Sequence, residues 1–168
     1  MTEELSSSNF IIISITIGFG ATLIMDLYAL FQKRFFGITS LNYALVGRWI
    51  LHMPKGILLH KNILLTEPIT MESTVGWLAH YATGIIFTAI MILLNGNTWL
   101  IDPTITPSII FGLSTVIFPY MIMQPSFGFG FAAAKMPQPN VARIRSLIAH
   151  AIFGLGLYLS ASIRTLII

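Results

Sequence analysis

The sequence predicts an all-α integral membrane protein, built as one domain over residues 1–168 with four membrane-spanning helices. Two observations favour this fold class: 55% of the residues are hydrophobic, and only 9% are charged. Soluble domains carry about 25% charged residues, so this chain has too few charges to cover a globular surface. The mean hydropathy of +0.84 agrees. These values exclude a soluble enzyme, a disordered chain and a nucleic-acid-binding module.

Four apolar stretches account for the predicted spans, at residues 10–31, 74–94, 105–123 and 147–168. Each is long enough to cross a hydrocarbon core of about 30 Å at about 1.5 Å per helical residue. Lipid offers the backbone no hydrogen-bond partners, so we expect helices in spite of the high Ile and Val content. The four helices would pack as a bundle with membrane lipid around it.

The basic residues predict the orientation of these spans. Eight of the nine Lys and Arg residues lie in the two longer connections, residues 32–73 and 124–145, and the ninth is Arg164. The positive-inside rule therefore places both connections in the cytoplasm and both termini in the periplasm. Because the basic residues are scattered through loops, they form no basic face, and we expect no nucleic-acid partner.

Spans two and four begin with related sequences, which favours a duplicated helix hairpin. The pattern aliphatic-Ala-His-x-x-x-Gly-aliphatic occurs in both spans, aligning His80 with His150 and Gly84 with Gly154. Glycine and alanine are common in membrane helices, so the matched histidines carry most of this argument. The two copies would be parallel repeats, related by an axis along the membrane normal.

Titratable residues inside the predicted spans are the first candidates for function. Asp26, His80 and His150 qualify, because such groups are costly within a bilayer and usually functional. Counting along the helices places them, with Gln124, in the cytoplasmic half of the bundle. Three interpretations stay open: hydrogen bonds between helices, a metal or haem site, and a path for protons or solutes.

The cofactor interpretation gives each of these residues a role. A haem would lie between His80 and His150, with Gly84 and Gly154 leaving clearance four residues further along the same helix faces. A divalent metal ion bound by His80, His150 and Asp26 is the smaller variant. The chain contains no cysteine, so thiolate ligands are excluded.

The first cytoplasmic connection contains a predicted interfacial helix. Ser40 is a suitable N-cap for a helix from Leu41 to about Met53, which the following Pro54 ends. Polar residues on this helix would point towards the mouth of the bundle or lie among lipid headgroups.

Arg48 and His52 are four residues apart on this helix and therefore share one face. In the functional hypothesis, Arg48 folds inward to pair with Asp26 and His52 faces a pocket. In the alternative, Arg48 and His52 contact lipid phosphates. His60, further along the connection, is expected to face solvent or lipid.

The second cytoplasmic connection is too apolar for an ordinary loop. Its residues 127–134 predict a re-entrant or surface-lying segment with Phe rings in the headgroup layer. Pro119 should kink the third span, and Asn140 is a suitable N-cap for the fourth helix.

Four segments of the chain carry a resemblance to a known family. They are Ser-Leu-Asn-Tyr-Ala-Leu-Val-Gly-Arg-Trp at residues 40–49, together with residues 76–81, 123–125 and 143–147. At these segments the chain resembles a family of small four-span bacterial inner-membrane proteins that is known only as a domain of unknown function. The resemblance implies an integral inner-membrane protein of a Gram-negative bacterium, and it supplies no activity, substrate or cofactor.

The leading functional hypothesis is a membrane-embedded binding module whose polar pocket opens to the cytoplasm and takes a small-molecule ligand. The residues expected to line that pocket are Asp26, Arg48, His52, His80, Gln124 and His150. Two other classes stay open: a small transporter or proton-coupled carrier, which would need to form a homodimer, and a structural or assembly subunit without a ligand. No motif decides whether the protein is an enzyme.

Overall fold

The computed structural model describes residues 7–167, which form helices and turns without any strand. The predicted all-α fold class is therefore confirmed. Single 3-10 turns lie at Met53–Lys55, Ile63–Leu65 and Phe131–Ala133, and a π-helical turn lies at Pro119–Met123. The α-helices are α1 (Ser7–Phe36), α2 (Tyr43–His52), α3 (Glu72–Ile101), α4 (Ile105–Ser114), α5 (Gln124–Ser126) and α6 (Pro139–Ile167).

Four helical segments are long and apolar enough to cross a membrane: Ser7–Phe36, Glu72–Ile101, Ile105–Ser126 and Pro139–Ile167. Each segment extends past its predicted span at one end or both. The predicted spans contain only the apolar stretches, whereas the helices continue into the polar residues beside them. The last predicted residue of the fourth span, Ile168, lies outside the described residues.

The start of α6 differs from the prediction. Asn140 is not an N-cap, because the helix already begins at Pro139. Proline suits the first helical position, where its missing N–H would have had no partner within the helix. Asn140 lies in the first turn, and its Oδ1 accepts a hydrogen bond from Nη1 of Arg143 at 3.0 Å.

Pro119 disturbs the third membrane-spanning segment, as predicted. It has no N–H to donate to the preceding turn, and the carbonyl oxygen of Thr115 accepts from the N–H of Phe118 at 3.1 Å. The π-helical turn Pro119–Met123 follows directly. Such turns are rare and occur mostly as single-turn bulges inside α-helices.

The described chain divides into two compact units. Unit 1 comprises residues 7–39, 81–114 and 149–167, and unit 2 comprises residues 40–80 and 115–148. Each unit therefore combines segments that are distant in sequence. The two histidines of the internal repeat belong to different units, and the duplication of a helix hairpin stays a prediction.

Small residues bring the helices of unit 1 into backbone contact. A Cβ atom on Gly112 of α4 would lie 2.6 Å from the Cα atom of Gly154 on α6. On the other side of α6, a Cβ atom on Gly156 would lie 2.8 Å from the Cα atom of Ala21 on α1. Close approach at small residues is typical of helix packing in membranes. The buried apolar residues of unit 1 are Ile13, Ile17, Ala21, Met91, Ile92, Trp99, Leu100, Phe153, Leu157 and Ala161.

Unit 2 packs around Phe127, whose side chain is completely buried. Trp49 meets it edge-on, with the ring centres 5.8 Å apart. The carbonyl oxygen of Phe127 accepts a hydrogen bond from the N–H of Ile63 at 3.0 Å. The prediction that this Phe-rich segment places its rings in the headgroup layer is therefore wrong for Phe127, because long-range main-chain pairing draws it into a core.

Candidate functional site

Helix α2 supplies two of the predicted site residues, and it begins two residues later than expected. Asn42, and not Ser40, is the N-cap: its Oδ1 accepts a hydrogen bond from the N–H of Ala44 at 3.1 Å. Both residues are good capping types, so only the backbone geometry selects between them. The helix ends at His52, where the turn containing Pro54 begins.

Two glycines allow α2 to lie directly against the start of α3. A Cβ atom on Gly47 would overlap the carbonyl oxygen of Glu72, and one on Gly76 would overlap that of Tyr43. Any side chain at either position would push the helices apart. This contact places Arg48, the residue after Gly47, beside the first turn of α3.

Arg48 is buried and pairs with Glu72. Its Nε and Nη2 donate to Oε2 and Oε1 of Glu72 at 2.8 and 2.9 Å, which is a bidentate ion pair. Its Nη1 donates to the carbonyl oxygens of Ile63 at 3.0 Å and Thr66 at 2.7 Å. The hydrogen bonds with Glu72 raise the pKa of Arg48 above its usual value. One guanidinium group therefore joins α2, α3 and the connection between them.

The prediction that Arg48 pairs with Asp26 is wrong, because Glu72 is the carboxylate partner of Arg48. Asp26 belongs to unit 1, where its Oδ2 accepts a hydrogen bond from the hydroxyl group of Tyr81 at 2.9 Å. Glu72 is not among the predicted site residues, because it lies just before the second predicted span, which begins at residue 74. Glu72 is the first residue of α3.

His52 and His60 each use Nδ1 for a hydrogen bond within unit 2. Nδ1 of His52 lies 2.8 Å from the carbonyl oxygen of Arg48, which can only accept, so Nδ1 carries the proton. Nδ1 of His60 lies 3.2 Å from Oγ1 of Thr66, whose proton is donated to the carbonyl oxygen of Asn62. Nδ1 of His60 therefore donates as well. When a neutral histidine ring carries its proton on Nδ1, its Nε2 is an acceptor.

Two buried acceptor atoms of unit 2 have no hydrogen-bond partner among the described residues: Nε2 of His60 and Oε1 of Gln124. The exposed fractions of the two residues are 8% and 9%. Leaving a buried polar atom unpaired costs about 1–3 kcal/mol, and nearly all such atoms in proteins are paired. The segments that carry them are joined, because the N–H of His60 donates to the carbonyl oxygen of Ser126 at 2.8 Å.

The environment of His60 favours its neutral form. Burial is the main cause that lowers the pKa of His60, and the charges of His52 and Arg48 lower it further. The ring centres of His60 and His52 are 5.1 Å apart, with the ring planes at 87°. The expectation that His60 faces solvent or lipid is therefore wrong. Its main-chain hydrogen bond to Ser126 holds it inside unit 2.

The histidines of the repeat have different surroundings. The ring of His80 stacks on Tyr43 at a centre-to-centre distance of 4.0 Å, and Trp77 meets it edge-on at 5.9 Å. In unit 1, the carbonyl oxygen of His150 would lie 2.6 Å from a Cβ atom on Gly112. His80 therefore belongs to an aromatic cluster, and the backbone of His150 lies at the contact between α4 and α6.

The glycines that follow these histidines are packing contacts. A Cβ atom on Gly84 would overlap Oγ1 of Thr22, and one on Gly154 would lie 2.6 Å from the carbonyl oxygen of Ser108. The neighbouring helices fill the clearance that the haem hypothesis assigned to Gly84 and Gly154. A haem shared by His80 and His150 stays a prediction without that support.

The three-ligand metal site predicted from His80, His150 and Asp26 gains no support and stays a prediction. Within residues 7–167, no three His, Cys, Asp or Glu side chains are grouped as metal ligands. The fourth predicted pocket residue on the spans, Gln124, lies in unit 2 together with Arg48 and His52. Unit 2 thus contains four of the predicted pocket residues, Arg48, His52, His80 and Gln124, and adds His60 and Glu72.

Comparison with known proteins identifies the family. A family model described as "Protein of unknown function (DUF2938)" matches residues 15–164, so the chain belongs to this family. The matched range includes α2, the connection with His60, and Gln124. This agrees with the resemblance found in the sequence. No curated protein and no solved structure gives a match.

Proposed function

We propose that this DUF2938 protein is a multi-pass inner-membrane protein of a bacterium, and that its unit 2 binds a small ligand. The observation that carries the proposal is the presence of two buried acceptor atoms, Nε2 of His60 and Oε1 of Gln124, that have no hydrogen-bond partner within residues 7–167. A ligand that donates hydrogen bonds or positive charge would satisfy both atoms. Unpaired buried polar atoms of this kind are expected at functional sites, where residues that serve binding lower the stability of the protein.

The rest of unit 2 supports binding by holding the imidazoles in fixed orientations. The carbonyl oxygen of Arg48 orients His52, and the guanidinium group of Arg48 holds the carbonyl oxygen of Thr66. The hydroxyl group of Thr66 in turn orients His60. Arg48 is thus a positioning residue for both rings. A site whose groups are already in place loses little conformational entropy on binding.

The charge distribution supports access from the cytoplasm. Unit 2 contains most of the two connections that are rich in Lys and Arg, and such connections are retained in the cytoplasm. Both termini would then lie in the periplasm. Reporter fusions at Asn97 and at the C-terminus should be active only in the periplasm, and a fusion at Lys61 only in the cytoplasm. A cytoplasmic C-terminus would overturn this orientation.

Native mass spectrometry tests the binding function directly. The intact protein, extracted in a mild detergent, should carry a bound molecule or ion that appears as added mass. The double variant His60→Asn/Gln124→Met should lack that mass, because both unpartnered acceptors are removed. His80→Phe is the matched control, since Phe preserves the stack on Tyr43, and it should retain the added mass. Wild-type protein without any added mass would contradict the proposal.

A further inference from the structure

We infer that the ligand of unit 2 is a divalent transition-metal ion, bound through Nε2 of His52 and Nε2 of His60. The inference rests on the proposed binding function and names the chemical class of the ligand. It concerns histidines different from the pair in the internal repeat. Three observations carry it: the orientation of the rings, the distance between them, and the donor atoms available nearby.

The orientation of both rings is the one that metal-binding histidines adopt. A histidine that binds a metal through one nitrogen almost always donates its other N–H to a carbonyl, carboxylate, hydroxyl or water oxygen. His52 donates from Nδ1 to the carbonyl oxygen of Arg48, and His60 donates from Nδ1 to the hydroxyl group of Thr66. Each ring therefore has Nε2 as its lone-pair nitrogen.

The distance between the rings fits a shared ion. The centre of an imidazole lies about 3.2 Å from a zinc ion when the Zn–N distance is about 2.0–2.1 Å, so two rings at a tetrahedral angle have centres about 5.2 Å apart. The centres of His52 and His60 are 5.1 Å apart. The perpendicular arrangement of the rings leaves both free of steric overlap at this distance.

The available donor atoms select the kind of ion. Two imidazole nitrogens favour zinc, copper, nickel or iron over magnesium and calcium, which prefer sites made only of oxygen. The unpartnered Oε1 of Gln124 is the protein oxygen donor that we assign to the remaining coordination, completed by water. The charge of Arg48 is balanced by its ion pair with Glu72, so a second cation meets little net repulsion.

Asparagine substitutions separate metal binding from the structural role of the rings. The amide group of Asn occupies the position of Nδ1 and can still donate to the same acceptor, but it has no counterpart of Nε2. His52→Asn and His60→Asn should therefore keep the hydrogen bonds to Arg48 and Thr66 while removing the metal donor. His80→Phe is again the control, because it removes a histidine that lies outside the proposed metal site.

The experiment is a titration of the purified full-length protein, stripped with a chelator, with Co²⁺ as the spectroscopic probe and Zn²⁺ as competitor. Wild-type protein and His80→Phe should bind one Co²⁺ per chain, with the intense visible bands of four-coordinate cobalt, and Zn²⁺ should displace it. Each Asn variant should bind Co²⁺ at least about tenfold more weakly. Gln124→Met changes neither histidine ring and should weaken Co²⁺ binding to a smaller extent than the Asn variants. It replaces them as the test variant if an Asn variant does not fold.

The outcomes separate this inference from the proposed function. No four-coordinate cobalt spectrum, or equal binding by the wild type and a folded Asn variant, would overturn the metal assignment. If native mass spectrometry then finds an organic molecule that the variant His60→Asn/Gln124→Met lacks, the binding function stands with a different ligand. If the wild type carries neither a metal nor an organic molecule, both are overturned.

Discussion

In unit 1, buried hydroxyl groups donate to carbonyl oxygens of their own helix. Ser14, Thr22 and Thr88 each donate to the carbonyl four residues earlier, at 2.8, 2.7 and 2.8 Å. In unit 2, the guanidinium group of Arg48 instead reaches three positions that are 15 to 24 residues away in sequence, and two acceptors stay unpartnered among the described residues.

We interpret this difference as a division of roles between the two units. A hydroxyl group that is satisfied within its own helix needs nothing from a neighbouring helix, so unit 1 can be assembled by close packing of small residues. A network that joins distant segments fixes side chains in three dimensions, as a binding site requires. Unit 1 is therefore interpreted as the packing scaffold and unit 2 as the site.

The largest expected effect comes from breaking the ion pair of unit 2. Arg48→Ala leaves Glu72 without its partner and frees the carbonyl oxygens of Ile63 and Thr66. Removing one partner of a buried ion pair typically costs about 3–5 kcal/mol. We expect a loss of this size in the free energy of unfolding, measured by denaturant titration in detergent micelles. Arg34→Ala, at an exposed position of α1, is the control and should change little.

The contact between α4 and α6 in unit 1 should respond to added volume. Gly112→Ala and Gly154→Ala each place a methyl group against backbone atoms that cannot move aside. Overpacking of this kind costs about 1–3 kcal/mol. At Gly20 the new methyl group would meet only the side chain of Ser160, so Gly20→Ala should cost less. Equal losses at Gly20 and Gly112 would contradict the packing described for unit 1.

A change of opposite sign is expected at Gln124. Replacing a buried acceptor that has no partner by an apolar group of similar size removes a penalty of about 1–3 kcal/mol, so Gln124→Met should raise the free energy of unfolding of the ligand-free protein. Gln138→Met, at an exposed position, should have little effect. A marked loss of stability for Gln124→Met would mean that Oε1 has a structural partner.

The smallest effect is expected for the hydroxyl groups of unit 1. Thr88→Val removes the bond from Oγ1 to the carbonyl oxygen of Gly84, which the helical backbone also uses. Hydrogen bonds between membrane helices contribute about 0.6 kcal/mol on average, and we expect a loss no larger than that for this bond within one helix, in the same titration. A loss above about 2 kcal/mol would mean that the buried hydroxyl groups of unit 1 contribute as much as the polar network of unit 2.

The fold was predictable from the sequence because lipid imposes a simple rule. A stretch of about 20 apolar residues has to be helical to satisfy its backbone, and within the described residues all four stretches lie in helical segments. The helix ends were not predictable in the same way. α6 extends back to Pro139 through polar sequence. Before α2, Ser40 and Asn42 are residue types of similar N-capping preference, so the sequence does not show which of them caps the helix.

The residues of the candidate site were predictable only in part. Helical spacing put Arg48 and His52 on one face, and the structure confirms this with the bond between His52 and the carbonyl oxygen of Arg48. His60 lies in an irregular connection, where no periodicity indicates burial. Its position depends on main-chain pairing with Ser126, which is distant in sequence. Two histidines on either side of a Pro-containing turn are the only local signal that favours a site there.

The most direct test is an experimental map of the protein as it is isolated from the membrane, at a resolution that shows bound ions and waters. We expect density beside Nε2 of His60, at about 2.0–2.1 Å for a metal ion or about 2.7–3.2 Å for a hydrogen-bonding ligand. Unit 1 should show no comparable bound group beside its buried hydroxyl groups. The account would be contradicted if Nε2 of His60 and Oε1 of Gln124 each bonded to a protein group, with no density between them and the solvent.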